Sequence, residues 1–282
     1  MKNADDTPWR DRFDVADRVA VVTGGLGQLG REFALELLHR HAYVAVFGRT
    51  ATIEQLSTHF PAEFVDTRRV KAYAVDITNR ESIVAALVDI RAQWGVPEIL
   101  INNAGIDTQP SAPPEVSGPF ETFPEDVFRE VIEVNLTGTF LTCKVIGGAM
   151  AEAGRGSIIN IGSIYGILSP VQDIYAYKEE LTGKPFIKPV AYSASKSGLY
   201  NLTRYLATYW AKRGVRVNIL TPSGVYRESQ DDQFVQNYCN RMPMGRMATA
   251  TEYNGAIVFL ASDASGYMTG SNLVIDGGWS AW

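Results

Sequence analysis

RVAVVTGGLGQLGREFALELLHRHAYVAVFGR, residues 18–49, decides how this chain folds. A β-branched run, RVAVV, ends in the glycine-bearing turn TGGLGQLG, Thr23 to Gly30. FALELLHRHA then reads as a helix, and YVAVFGR is a second apolar run. Strands without polar alternation are buried on both faces, and two parallel strands need a crossover helix between them. The stretch predicts a β-α-β unit opening a parallel sheet. Glycines at such a turn let the backbone approach a pyrophosphate, and the helix N-terminus supplies unpaired N–H groups with a favourable dipole. A bare Gly-rich turn is the plainer reading of the same residues.

The alternation continues along the chain. A helix is expected around Ile53–Phe60, then strand VKAYAVD, helix ESIVAALVDIRAQW and strand EILINNAG. A helix from Pro124 to Ala153, strand GSIINIGS, a helix from Ala191 to Ala211, strand VRVNILTPSG, helix ATEYNGAIVFLAS and strand NLVIDGG complete the pattern. Seven apolar strands alternating with helices predict an α/β, doubly wound Rossmann-type domain, a parallel sheet with helices on both faces. With no repeat or linker tract, residues 1–282 read as one domain, 1–17 being a polar extension. Two segments break the rhythm: 106–124, rich in proline and small polar residues, and 168–190, between a strand and the next helix. Long ordered loops in compact domains are usually functional.

Composition narrows the partners. A net charge of −5 and the absence of a basic run argue against nucleic acid. No apolar stretch is long enough to span a bilayer, and the polar N-terminus is unlike a signal peptide, so a soluble cytoplasmic protein is expected. Cys143 and Cys239, far apart and outside any CxxC, read as buried thiols of a reducing compartment.

The chemistry is carried by VAYSASKSG. Tyr192 and Lys196 are four residues apart, hence on one helix face. An ammonium beside a phenol favours the phenolate and lowers its pKa, which suits proton exchange with an oxygen undergoing redox chemistry. The end of the second strand reports on the nucleotide. An acid there accepts bonds from the ribose hydroxyls in NAD sites, but this chain has Gly48 followed by Arg49. A guanidinium suits a 2′-phosphate, so NADP(H) is preferred over NAD(H), with a solvated loop cation as the alternative. Asp76 either meets the adenine edge or caps the helix starting near Asn79.

TGGLGQLG, NNAG (Asn102 to Gly105), Asn135, Ser163, Tyr192 with Lys196, and the terminal DGGW occur in the order seen in short-chain dehydrogenases/reductases. The chain resembles that family from about Arg18 to Trp279. The long spacer, the PVAYSASK string and the GGWSAW tail resemble members associated with bacterial carbohydrate and surface-polysaccharide metabolism. The resemblance implies that Tyr192 is the general acid/base and that Lys196 lowers its pKa and holds the nicotinamide ribose. Ser163 would bond the substrate oxygen, and Asn135 would support a water relay to Lys196. In isolation Ser163 reads equally as a strand-end hydroxyl and Asn135 as a helix kink. The implied cofactor site comprises Thr23, Gly24, Gly27, Gln28, Leu29, Gly30, Arg49, Asp76, Ile77, Asn103, Ala104, Gly105, Tyr192, Lys196, Pro222, Gly224 and Val225.

Three departures stand out. Gln28 takes the place of the usual middle glycine, Ser223 interrupts the usual Pro-Gly, and 29 positions separate Ser163 from Tyr192. The added length offers Tyr175, Tyr177, Lys178, Lys184 and Lys188, and 225–234 adds Tyr226, Arg227 and Glu228. As a substrate cover these groups suit a hydroxylated or phosphorylated ligand; as a solvated loop they need no ligand. The expected reaction is reversible oxidation of a secondary alcohol on a sugar, cyclitol or related polyol. A 3-oxoacyl reductase and a non-catalytic nucleotide sensor are the other classes. A homo-oligomer, tetramer or dimer, is implied by the resemblance, and Trp279 and Trp282 seal either a subunit contact or the chain's own core.

Overall fold

The first strand, β1 (Val19–Thr23), sends alternate residues to opposite layers: Ala20 and Val22 to one, Val19 and Val21 to the other. A computed structural model describes residues 11–108 and 112–282. The same alternation runs through β2 (Tyr43–Gly48), β4 (Ile99–Asn102), β5 (Gly156–Ile161) and β6 (Val215–Pro222). With β3 (Val70–Ala74) and β7 (Asn272–Ile275) they make a seven-stranded sheet, all parallel, in the order β3-β2-β1-β4-β5-β6-β7. This is the doubly wound sheet that the sequence predicts. The chain reverses its direction of travel between β1 and β4, and such a switch point opens a crevice beyond the carboxyl ends of the strands.

One layer is covered by α1 (Gln28–His39), through Phe33, Leu37 and Leu38, and by Ile257 and Leu260 of the helix Asn254–Ala261. The other is covered by the helix Arg80–Gln93, by the interrupted helix from Glu125 to Ala153, and by the long helix Val190–Trp210. Each fully buried Leu, Ile or Phe contributes roughly 1.5–3 kcal/mol. The interruptions are two π-turns, Glu133–Thr137 and Cys143–Gly147. The first carries Asn135, in keeping with the habit of π-turns to mark functional sites. Cys143 is buried in this layer, and burial pushes its thiol up to about 12, so it is inert at neutral pH.

The expected elements need correction in four places. The third strand stops at Ala74, because the Asp76 carboxylate accepts from both the backbone N–H (2.9 Å) and the hydroxyl (2.7 Å) of Thr78 and turns the chain. The helix that follows is capped by Asn79, which accepts from Ser82 N–H at 3.1 Å, and not by Asp76. The segment 168–190 is structured: a 3-10 turn, Gln172–Tyr175, runs into a short helix, Tyr177–Thr182, which Gly183 ends at φ 69°. A helix at Asp232–Cys239, which the sequence reading left out, starts at Asp231, whose side chain accepts from Gln233 and Phe234 N–H.

These pieces share a third core. Ile174, Tyr175 and Phe186 pack with Phe234, Tyr238, Met242, Met247 and Trp279. Tyr175 stacks on Phe234 with ring centroids 5.6 Å apart, and Tyr238 on Trp279 at 4.4 Å. Trp279 therefore seals the chain's own core, while Trp282 is exposed. The DGG motif explains the tail: Gly277 and Gly278 take φ 64° and 88°, and the buried Asp276 carboxylate accepts from Gly278 and Ser280 N–H at 2.9 Å.

Candidate active site

A cleft of about 410 Å³ opens at the carboxyl edge of the sheet. Its floor on one side is the glycine turn. Gly24 sits at φ +61°, and a Cβ there would come 3.0 Å from Ala104 Cα, so glycine is needed for both conformation and space. Gly27, the N-cap of α1, offers no side-chain acceptor and no acidic residue occupies the first turn, which leaves the helix N–H groups for a ligand. Asn103 braces the turn, its amide donating to the Thr23 and Gly24 carbonyls at 3.1 and 3.2 Å. Thr23 lies beneath, its hydroxyl accepting from Asn103 and Ala104 N–H at 3.0 Å each. These residues form a cradle that fits a dinucleotide pyrophosphate.

Gln28 explains one departure. Its amide donates to the Tyr226 carbonyl at 2.7 Å, and its Oε1 accepts from Arg227 Nε at 2.5 Å. The side chain that replaces a glycine thus reaches across the cleft mouth to the loop after β6. Ser223, the other substitution, lines the cleft between Pro222 and Gly224. Gly224 N–H donates to the Tyr238 hydroxyl at 2.7 Å, and the Tyr238 ring leaves no room for a Cβ at that position.

The opposite wall brings Ser163, Tyr192 and Lys196 together. Ser163 ends the turn after β5; its N–H donates to the Tyr200 hydroxyl (3.4 Å), which donates in turn to the Ser163 carbonyl (2.9 Å). Lys196 is buried and donates to the Ile161 carbonyl at 2.8 Å. Its Nζ lies 5.8 Å from the centroid of the Tyr192 ring. Burial lowers the Lys196 ammonium to about 8. The expected drop in the Tyr192 pKa is not found: burial, then the nearby Asp107 carboxylate, push the phenol above its ordinary value, against the opposing effect of a hydrogen bond with Ser163. Desolvation of the phenolate is the largest of these effects.

Asn135 stands behind this wall. Its Oδ1 accepts from Ile106 N–H at 2.8 Å, and its Nδ2 donates to the Ile106 carbonyl (2.9 Å) and Ser195 hydroxyl (3.0 Å). A Cβ on Gly105 would lie 3.2 Å from Asn135 Oδ1 and 3.6 Å from Lys196 Nζ, so the three meet at one point.

Of the remaining expected residues, Leu29, Ala104, Gly105 and Val225 line the cleft. Thr23, Gly30, Arg49, Asp76 and Ile77 do not. Gly30 is buried against the glycine turn, Ile77 packs on Gly138, and Arg49 is exposed just past β2; the Asp76 carboxyl is held below its ordinary range by its hydrogen bonds from Thr78 and, less, by the Arg49 charge. Lining residues that the sequence reading did not name include Ile106, Asp107, Tyr165, Gln230, Phe234 and Tyr238. Their only signal was position: Ile106 and Asp107 directly follow NNAG, Tyr165 comes two residues after Ser163, and the others lie beyond Val225.

The chain is similar in sequence and fold to known proteins. A family model described as enoyl-(acyl carrier protein) reductase matches residues 27–280. D-threitol dehydrogenase of Mycolicibacterium smegmatis is 31% identical, over 95% of this chain and 95% of its own. A short-chain dehydrogenase of Leptospira borgpetersenii, solved with bound NAD+, is 33% identical, with a TM-score of 0.81 over 99% of this chain and 100% of that one. A gluconate 5-dehydrogenase of Burkholderia cenocepacia, solved with NADP and tartrate, is 28% identical, with a TM-score of 0.81 over 96% of this chain and 98% of that one. Sheet order, cleft and these similarities together assign the chain to the short-chain dehydrogenase/reductase family of oxidoreductases.

Proposed function

We propose that this chain catalyses reversible hydride transfer between NADP(H) and a secondary alcohol or ketone of a polyol, sugar or cyclitol. The observation that carries the reading is the convergence of Ser163, Tyr192 and Lys196 on a cleft whose far side is the uncapped start of α1. The dinucleotide, when bound, supplies or accepts the hydride. Tyr192 moves the proton of the reacting oxygen, and the Ser163 hydroxyl holds that oxygen in place. Lys196, fixed by the Ile161 carbonyl, sets the charge beside the phenol and binds the ribose. Asn135 fixes the Ile106 backbone and stands where a water relay to Lys196 would begin.

Gly48 and the exposed Arg49 support NADP(H), since no carboxylate at the end of β2 repels a 2′-phosphate. The relatives support a polyol: the names include D-threitol dehydrogenase and gluconate 5-dehydrogenase. The single sheet serving both walls supports one catalytic domain. The exposed aromatics Phe140, Tyr205 and Tyr209 on the outer helices support a homo-oligomer.

A panel of alditols and cyclitols, assayed with NADP+ and with NAD+, tests the reading. Turnover of at least one polyol is expected, with a kcat/KM about tenfold higher for NADP+, and Arg49→Ala should erase most of that preference. Reduction of an acyl ketone without polyol turnover would favour a 3-oxoacyl reductase. Dinucleotide binding without any turnover would favour a sensor.

A further inference from the structure

The inserted segment 168–190 delivers one side chain deep into the cleft, that of Lys188. Gln172 grips the Lys188 backbone from both sides, Oε1 accepting from its N–H at 2.9 Å and Nε2 donating to its carbonyl at 3.2 Å. Next to it, Ile187 N–H donates to the Ser117 carbonyl at 2.8 Å and ties the insertion to the other irregular segment. The ammonium then donates at 2.7 Å to each carboxylate oxygen of Asp107 and to the Thr108 carbonyl. All three of its protons find an acceptor. The Lys188 side chain is 5% exposed and that of Asp107 27%, so the pair turns its negative end to the cleft. Lys188 Nζ lies 5.4 Å from the centroid of the Tyr192 ring, which places the pair beside the proton-transfer group.

We propose that Asp107 is a specificity-determining residue: its carboxylate, held by Lys188, accepts hydrogen bonds from substrate hydroxyls next to the reacting carbon and turns away substrates that carry a carboxylate or phosphate there. This rests on the polyol reading and narrows it to polyols that carry no charge next to the reacting carbon. A carboxylate has about four acceptor positions, and Lys188 uses one on each oxygen, so both oxygens can still take a hydroxyl proton in a charge-assisted bond. An anion brought to the same place meets repulsion instead. The other cations lining the cleft are already engaged, Lys196 by the Ile161 carbonyl and Arg227 by Gln28 at the rim.

Matched pairs of equal chain length, threitol with threonate and galactitol with galactonate, test this by the absorbance of reduced nicotinamide. The wild type should use each alditol with a kcat/KM at least about tenfold above that for its aldonate. Asp107→Asn should raise the alditol KM about tenfold, more than it changes kcat at a pH where the kcat profile of each protein is flat, and should narrow the gap to the aldonate. Because that variant strands the buried Lys188 charge, the double variant Asp107→Asn with Lys188→Met is measured beside it, and the same split between KM and kcat is expected. A wild-type preference for aldonates, or an unchanged alditol KM in both variants, would overturn the proposal and leave the polyol reading standing. Turnover of neither partner of any pair, alongside reduction of an acyl ketone, would overturn the polyol reading and the proposal with it.

Discussion

The two walls of the cleft are built in different ways. On the dinucleotide side the contacts are backbone: a glycine turn, a helix N-terminus without a cap, and an asparagine amide bracing carbonyls. On the substrate side they are side chains, and the support is a separate aromatic core, Tyr175, Phe234, Tyr238 and Trp279, with one buried ion pair. Backbone geometry recurs wherever the same turn recurs, so it binds a constant ligand. A wall of side chains can be rebuilt residue by residue, and it is the place where substrates are chosen.

The sharpest separation of the walls should come from Tyr192→Phe. Turnover should fall by about 10³-fold or more, while dinucleotide affinity, measured by fluorescence titration, should stay within about twofold. Retained turnover would mean that the proton moves through some other group.

Trp279→Ala attacks the other wall from behind. Trp279 is 5% exposed and stacked on Tyr238, so its truncation should cost about 3–5 kcal/mol and lower the melting temperature. Any residual activity should show a raised substrate KM, since the aromatic core carries the insertion. An unshifted melting curve would show that this core contributes little to the fold.

A smaller effect concerns pH. Lys196 titrates near 8 in the folded protein and near ~10.4 in an unfolded chain. Between those values this side chain holds more protons in the unfolded state, so its own contribution to stability rises with pH, by about 2 kcal/mol from pH 8 to pH 10. The buried tyrosines, whose pKa values burial raises, contribute in the opposite sense as pH approaches 10. Below pH 8 the full penalty of burying the charge is present. Urea midpoints of dinucleotide-free wild type and Lys196→Met at the two pH values isolate this contribution: the change in stability from pH 8 to pH 10 should be more favourable in wild type than in the variant by about 2 kcal/mol. Equal slopes in both proteins would mean that Lys196 is better solvated than its burial implies.

The same contrast explains what could be read from the sequence. The sheet was legible because parallel strands buried on both faces leave unbroken apolar runs, and the glycine turn because it joins one such run to a helix. Ser163, Tyr192 and Lys196 were legible through their order along the chain. The insertion looked like a loop because its buried residues, Ile174, Tyr175 and Phe186, follow no period and pack on partners about 60 residues away, such as Phe234. Asp107 and Lys188 are separated by 81 positions, and nothing local in either segment announces the pair. The Tyr192 pKa was misjudged because a sequence shows which charges are near but not how much water has been removed.

Gln28 has a practical consequence for protein engineering. Its two bonds make the start of α1 a tether for the loop at Tyr226 and Arg227. Transplanting the glycine turn of a relative with glycine at this position would change the cofactor contacts and cut that tether in one step. Exchange of the glycine turn in this protein therefore has to treat the turn and the loop as a single graft, because Gln28 fastens one to the other.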